Sequence, residues 1–328
     1  MIRLFIMIRN ITRLTFSFLL FLSCSESDIN YINQADNLER YNSQIFEGIT
    51  TSKNIRYGAN VTQGGSTVGL SLDFYEPKND NQTKRPLIVL AYGKSFRSGD
   101  SGDKSDFERT ASFLAKAGYA VAVINFRLLD VAVPQTAITY KRAVINAVVD
   151  MKAAVRFFNK DASTTNVYHI DPNNIFIGGY SAGAIAALHY AYLSSDQEIR
   201  SIGGTDFLDY INEKGGLEGN SGNPDFSSAV KGVINISGAL FDKNIIETNE
   251  PALFSIHGTQ DLVVPYQNGF VDNTEIWTNG SGVLHTHINT KSLDLVNELK
   301  TINGGEQDAF ITCISCDLEI RNFLFSQL

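Results

Sequence analysis

Residues 174–183 constrain this chain more than any other stretch. Asn174-Ile175-Phe176-Ile177-Gly178 is a short apolar run, the pattern of a strand buried on both faces, and Ala184-Ile185-Ala186-Ala187-Leu188 reads as a buried helix. Between them stands Gly179-Tyr180-Ser181-Ala182-Gly183. A chain that passes from strand to helix in so few residues strains the residue at the turn, and Gly179 and Gly183 remove Cβ atoms that would clash. Ser181 then sits at a helix N-terminus, where the backbone dipole favours negative charge. Gly-x-Ser-x-Gly alone is a weak string. Its flanking strand and helix make Ser181 a candidate nucleophile.

The rest of the chain supplies a matching frame. Ile55 to Val61 and Val68 to Tyr75 read as a hairpin, and Pro86 to Tyr92 as a buried strand. A helix is expected over Ser105 to Ala117, a strand over Tyr119 to Phe126, and a long helix from Ala137 to Phe158. In that helix Val144, Val148, Met151, Val155 and Phe158 share one face. Strands follow at Val230 to Ile236, Ala252 to His257 and near Thr301, with helices at Ser292 to Leu299 and Asp317 to Leu328. This order predicts an α/β fold: a mainly parallel central sheet with helices on both faces, entered through an antiparallel hairpin. The Gly- and Asn-rich insertion at about 195–228 is expected to form a small lid or rim.

On these motifs the chain resembles the α/β-hydrolases of the bacterial carboxylesterase type over most of residues 54–328. Tyr92-Gly93-Lys94-Ser95-Phe96 stands where that family has His-Gly-Gly-Gly, and Ile170-Asp171-Pro172 leads into the serine strand as it often does there. His257-Gly258-Thr259-Gln260-Asp261 resembles the segment that carries the triad acid. The resemblance implies Ser181 as nucleophile, Asp261 as acid, and backbone N–H groups of Gly93, Lys94 and Ala182 as an oxyanion hole.

The same resemblance puts Gln307, in Gly304-Gly305-Glu306-Gln307-Asp308, where the family has its histidine. A carboxamide hydrogen-bonds to a serine but does not take its proton near neutral pH. Losing the histidine of such a triad costs on the order of 10⁶ in kcat. Of the five histidines, His169, His189 and His257 read as structural. His285 and His287 fall one element too early, yet a rim loop is one way to bring either over Ser181, and Glu306 is a second conceivable base.

Arg3, Arg9 and Arg13 precede the apolar run Leu14 to Leu22, which ends at Ser23-Cys24. Residues 1–23 therefore read as an export signal, Cys24 as a lipidation site or an incidental cysteine, and residues 24–53 as a polar tether. Without residues 1–23 the chain keeps 24 basic against 35 acidic side chains, which disfavours nucleic acid as a partner. Cys313 and Cys316 remain as a pair for a disulfide outside the cytoplasm; zinc and redox readings lack the ligands or the context. No metal or cofactor is expected. The expectation is an exported periplasmic or cell-surface lipoprotein that meets the membrane only through its lipid and takes a small or polymer-linked ester. Two readings stand: an esterase acting through a Ser181 acyl-enzyme, impaired by Gln307, or a catalytically silent binding lipoprotein.

Overall fold

The computed structural model describes residues 39–93, 95–97, 104–271 and 274–328. The export signal, Cys24 and Lys94 lie outside the described residues. Strand β1 (Ile49–Val61) and β2 (Thr67–Pro77) form the hairpin, followed by β3 (Arg85–Ala91), helix α1 (Glu108–Lys116), β4 (Ala120–Ile124) and α2 (Ala137–Ser163). Next come β5 (Ile170–Tyr180), α3 (Ala182–Tyr192), α4 (Asp196–Gly203), α5 (Thr205–Glu213), β6 (Gly232–Ile236) and β7 (Ala239–Leu240). The chain closes with β8 (Ala252–Gly258), β9 (Asn268–Phe270), β10 (Trp277–Gly280), α6 (Ser281–Lys291), β11 (Asn297–Ile302) and α7 (Cys316–Ser326).

The main sheet runs in the order β1-β2-β4-β3-β5-β6-β8-β11. From β4 to β11 every pairing is parallel, and β1 and β2 add an antiparallel edge. Period-two alternation divides its central strands between two cores. Leu87 and Val89 of β3 and Ile177 of β5 pack with Val144, Val148, Met151, Val155 and Phe158 of α2. Ile88, Leu90 and Phe176 point the other way, toward Leu114 of α1 and Ile320, Phe323 and Leu324 of α7. Truncating one of these buried leucines to alanine costs about 2–5 kcal/mol.

Three sequence expectations change. Residues Glu39 to Lys53, expected as tether, already belong to the fold: Tyr41 N–H donates to Ala117 O at 2.8 Å and Phe46 N–H to Lys116 O at 3.0 Å. β1 is an edge strand whose first half is mostly exposed, so its composition reads as tether. The expected helix over Ser292 to Leu299 is displaced: the helix is α6, and Asn297–Ile302 is a strand parallel to β8. α6 is neither strongly amphipathic nor rich in helix formers, and it lies against the sheet through Leu284, His287 and Ile288. The insertion folds as α4, α5 and a loop, tied to α2 by Glu218, which meets Lys152 at 2.6 Å and Arg156 at 3.0 Å. The small sheet β7-β10-β9 has no clear sequence signal, because its strands are two to four residues long.

Candidate active site

The turn after β5 is built as its glycines require. A Cβ on Gly183 would meet the Ala91 carbonyl of β3, and one on Gly179 would meet the Gly183 backbone. Ser181 adopts φ 52°, ψ −115°, a strained conformation for a residue with a side chain. Its N–H donates to Ile236 O of β6 at 2.8 Å, so the turn is held across the sheet.

Asp261 follows β8 on a tight loop. Its Oδ1 accepts from Val263 N–H at 2.8 Å and Val264 N–H at 2.9 Å, and the residue is 6% exposed. The loop after β11 lies against it, since Gly258 has no Cβ to strike Gly305 and Gln260 N–H donates to Gly305 O at 2.8 Å. These contacts bring Gln307 between Asp261 and Ser181. The carboxamide is assigned with its NH2 toward Asp261, the orientation that gives every atom a complementary partner. The nitrogen then donates to Asp261 Oδ1 at 2.8 Å and to Oδ2, and the oxygen accepts from Ser181 Oγ at 2.9 Å. The Gln307 main-chain carbonyl accepts from Tyr180 Oη at 3.0 Å and Ser237 Oγ at 3.3 Å. Burial, with Asp308, Asp261 and Asp106 nearby, pushes the Tyr180 phenol up to about 12, which keeps it a neutral donor.

The histidines are placed elsewhere. His257 is fully buried beside Asp261. Its Nε2 faces Val264 O at 2.9 Å and Asp261 Oδ2 at 3.2 Å, both acceptors, so Nε2 carries the proton and Nδ1 accepts from Ser281 Oγ at 2.7 Å. It steadies the acid and does not line the cavities at Ser181. His189 is buried in α3 between Ile185 O and Phe241 N–H, and burial pushes its pKa down to about 4. The two out-of-register candidates for the base, His285 and His287, are corrected: both ride on α6, held there by the helix itself rather than by a mobile rim. His285 is engaged by Asn289 and Asn297, each at 2.9 Å, and neither histidine lines the cavities. Glu306 is exposed and is likewise not among the lining residues.

Two cavities meet at Ser181. One of about 550 Å³ is walled by Phe107, Tyr180, Val263, Phe310 and Ile311, with Asp106 and Asp308 also lining it. The other, about 320 Å³, reaches over Ala182 and Ile185 to Arg97, Gln135 and Thr274. It leads into a further cleft of about 520 Å³ that shares Arg97, Gln135 and Thr274. No residue of the α4–α5 insertion lines any of these three; the rim comes from the loop after β8 and from residues 307–311. Ala182 N–H stands at the start of α3, next to Ser181, and Gly93 packs directly against Tyr180, where a Cβ would strike the ring. Cys313 and Cys316 form a disulfide with Cα atoms 5.4 Å apart, just beyond this rim. Among the described residues no group of His, Cys, Asp and Glu could hold a metal ion.

The BD-FAE family model matches residues 72–241, just over half of the chain, and takes in the end of β2, the Gly93 loop and the serine turn. The chain belongs to the BD-FAE family. Solved structures share its α/β-hydrolase fold at low identity. A truncated carbohydrate esterase from gut microbiota is 19% identical with a TM-score of 0.57, covering 87% of this chain and 97% of that one. The butyrate-bound thermophilic esterase of the planctomycete Thermogutta terrifontis is 18% identical with a TM-score of 0.58, covering 88% and 97%. The paraoxon-phosphorylated form of Thermogutta terrifontis esterase 2 is 18% identical, with a TM-score of 0.57 over 86% and 95%. None of the curated proteins matches the chain. Asp261 and Gln307 lie beyond the matched residues; in this chain the Gln307 carboxamide is in hydrogen-bond contact with both Ser181 and Asp261.

Proposed function

We propose that this protein is a carboxylic-ester hydrolase that works by acyl transfer to Ser181, with its proton transfer impaired by Gln307. The observation that carries the reading is the Ser181–Gln307–Asp261 bridge, which has the connectivity of a triad and lacks its base. Ser181 Oγ, beside Ala182 N–H and facing a chamber, is arranged for attack on an ester carbonyl, and the backbone N–H groups at the turn and the Gly93 loop suit the oxyanion. The apolar chamber walled by Phe107, Phe310 and Ile311 suits an acyl group. The cleft along Arg97, Gln135 and Thr274 suits a polar alcohol, free or on a polymer. The structural neighbours, an esterase and a carbohydrate esterase by name, support an ester as substrate.

The same bridge favours a second reading, a silent binding protein, because the serine proton is committed to an atom with almost no basicity. A fluorophosphonate probe separates the two. Labelling of the folded protein at Ser181, lost in Ser181→Ala, supports the hydrolase; an unlabelled folded protein leaves the binding reading. Export as a lipoprotein through Cys24 belongs to the same proposal and predicts palmitate labelling that is lost in Cys24→Ala.

A further inference from the structure

We propose that Ser181 is a single-turnover acyl acceptor: esters of acidic alcohols transfer their acyl group to Ser181 Oγ, and the acyl-serine then persists. This rests on the reading of Ser181 as nucleophile. Esterase chemistry has two halves with different proton needs. In the first, Oγ bonds to the ester carbon and the bond from that carbon to the alcohol oxygen breaks, with the electron pair leaving on the alcohol. The Oγ proton passes to water or to the departing oxygen. A phenol ionises near pH ~10, so a phenolate leaves without a proton from the enzyme.

In the second half a water oxygen bonds to the acyl carbon and gives up a proton, while the carbon–Oγ bond breaks with its electron pair returning to Oγ, which takes a proton up; the products are the free acid and the serine hydroxyl. A serine alkoxide is far more basic than a phenolate, so Oγ leaves only as a proton reaches it. In a triad the imidazolium supplies that proton. Here the facing atom is the Gln307 carboxamide oxygen, which has none to give. Rotating the amide to present its NH2 is opposed as well, because rotation sets the oxygen against the Asp261 carboxylate that now accepts from the nitrogen at 2.8 Å. Hydrogen bonds from Tyr180 and Ser237 to its main-chain carbonyl hold the Gln307 backbone in place. The second half is therefore slowed more than the first for any ester whose alcohol is more acidic than serine.

Full-length protein mixed with p-nitrophenyl acetate tests this through nitrophenol release and intact mass. The expected result is release of about one equivalent per protein, with one acetyl group on Ser181, followed by release slower by about 100-fold or more, the range set by general acid–base catalysis. Ser181→Ala gives neither, and Ser181→Gly, which suits the positive φ better, repeats the control if the alanine variant folds poorly. Gln307→His replaces the stall with steady release and no accumulated adduct. Steady release by the natural protein with Ser181 unmodified overturns the proposal, and Asp106 and Asp308 become the next bases to test. Fluorophosphonate labelling without an accumulated acetyl adduct overturns the proposal alone. Loss of both labels on folded protein removes the nucleophile, and the proposal falls with the reading beneath it.

Discussion

Two buried carboxylates, Asp150 on α2 and Asp261 after β8, are satisfied by opposite means. Asp150 faces a cation: Arg127 meets it through its guanidinium at 2.9 Å and its own N–H at 2.8 Å, and both side chains are fully buried. Ser221 adds its hydroxyl at 2.6 Å, so the insertion is stitched to the hairpin and to α2 at one point. Among the described residues no Lys or Arg pairs with Asp261; it is surrounded by N–H donors from Val263, Val264, His257 and Gln307. A buried carboxylate is satisfied by donors as well as by a counterion. In a triad the imidazolium that forms during catalysis is the charge such an acid serves. Here Gln307 takes that place and never charges, so Asp261 keeps its cradle without the cation that would use it.

Restoring the cation is the strongest way to break the contrast. Gln307→His is expected to raise steady hydrolysis of p-nitrophenyl acetate by about 10²–10⁴-fold, the contribution of a positioned general base. The gain appears with a pH limb: activity rises as the imidazole loses its proton, above about pH 6.5, since Asp261 beside it favours the charged form. Asp261→Asn in the Gln307→His protein then cancels most of the gain. In the natural protein the same change leaves nitrophenol release nearly unaltered, because there is no imidazole to orient. Equal loss in both backgrounds sinks the account of Asp261 as an acid without a partner.

At the other carboxylate the effect is on stability. Arg127→Met strands the Asp150 charge in the core and is expected to cost about 3–5 kcal/mol in urea denaturation. Asp261→Asn is expected to cost less, about 1–3 kcal/mol, since it removes acceptor capacity from neutral donors and strands no charge. If the order of these two losses is reversed, the distinction between cation-held and donor-held carboxylates is wrong.

Much of this was legible in residue patterns. The serine turn is local, so the run from Asn174 to Leu188 announces it, and the continuous apolar strands with the α2 stripe give the layered core. Gln307 could be reached because its loop directly follows a core strand. The sequence misled where a signal was shared or weak. A helix was expected over Ser292 to Leu299 where a connection runs into the strand Asn297–Ile302, and His285 and His287 lie on α6 rather than on a rim loop. The insertion read as a lid on composition alone, whereas its contacts to Lys152 and Arg156 were invisible without tertiary pairing. The tethers on Gln307 were equally hidden, since Tyr180 occupies a variable position of the serine motif and Ser237 lies just past the expected strand Val230 to Ile236, with nothing local to mark its partner.

A third carboxylate extends the comparison to its weakest case. Glu250, before β8, accepts one N–H, from Glu247 at 2.7 Å, and is half-buried. Burial first, then the neighbouring Glu198 and Glu247 carboxylates, push its pKa up to about 7 from 4.5. With neither a cation nor a full set of donors, it shows what the other two avoid. A carboxyl whose folded pKa is raised binds its proton more tightly in the native state, so its contribution is best below its unfolded value and is lost as pH rises from 4.5 toward about 7. Glu250→Gln is therefore expected to leave stability near pH 4 unchanged and to raise it at pH 8. With solvent screening of this half-exposed group discounted, the gain is about 1 kcal/mol or less. Thermal unfolding of both proteins at the two pH values measures it. Equal stability at pH 8 would mean that the one N–H suffices, and that donors count for more than neighbouring charge.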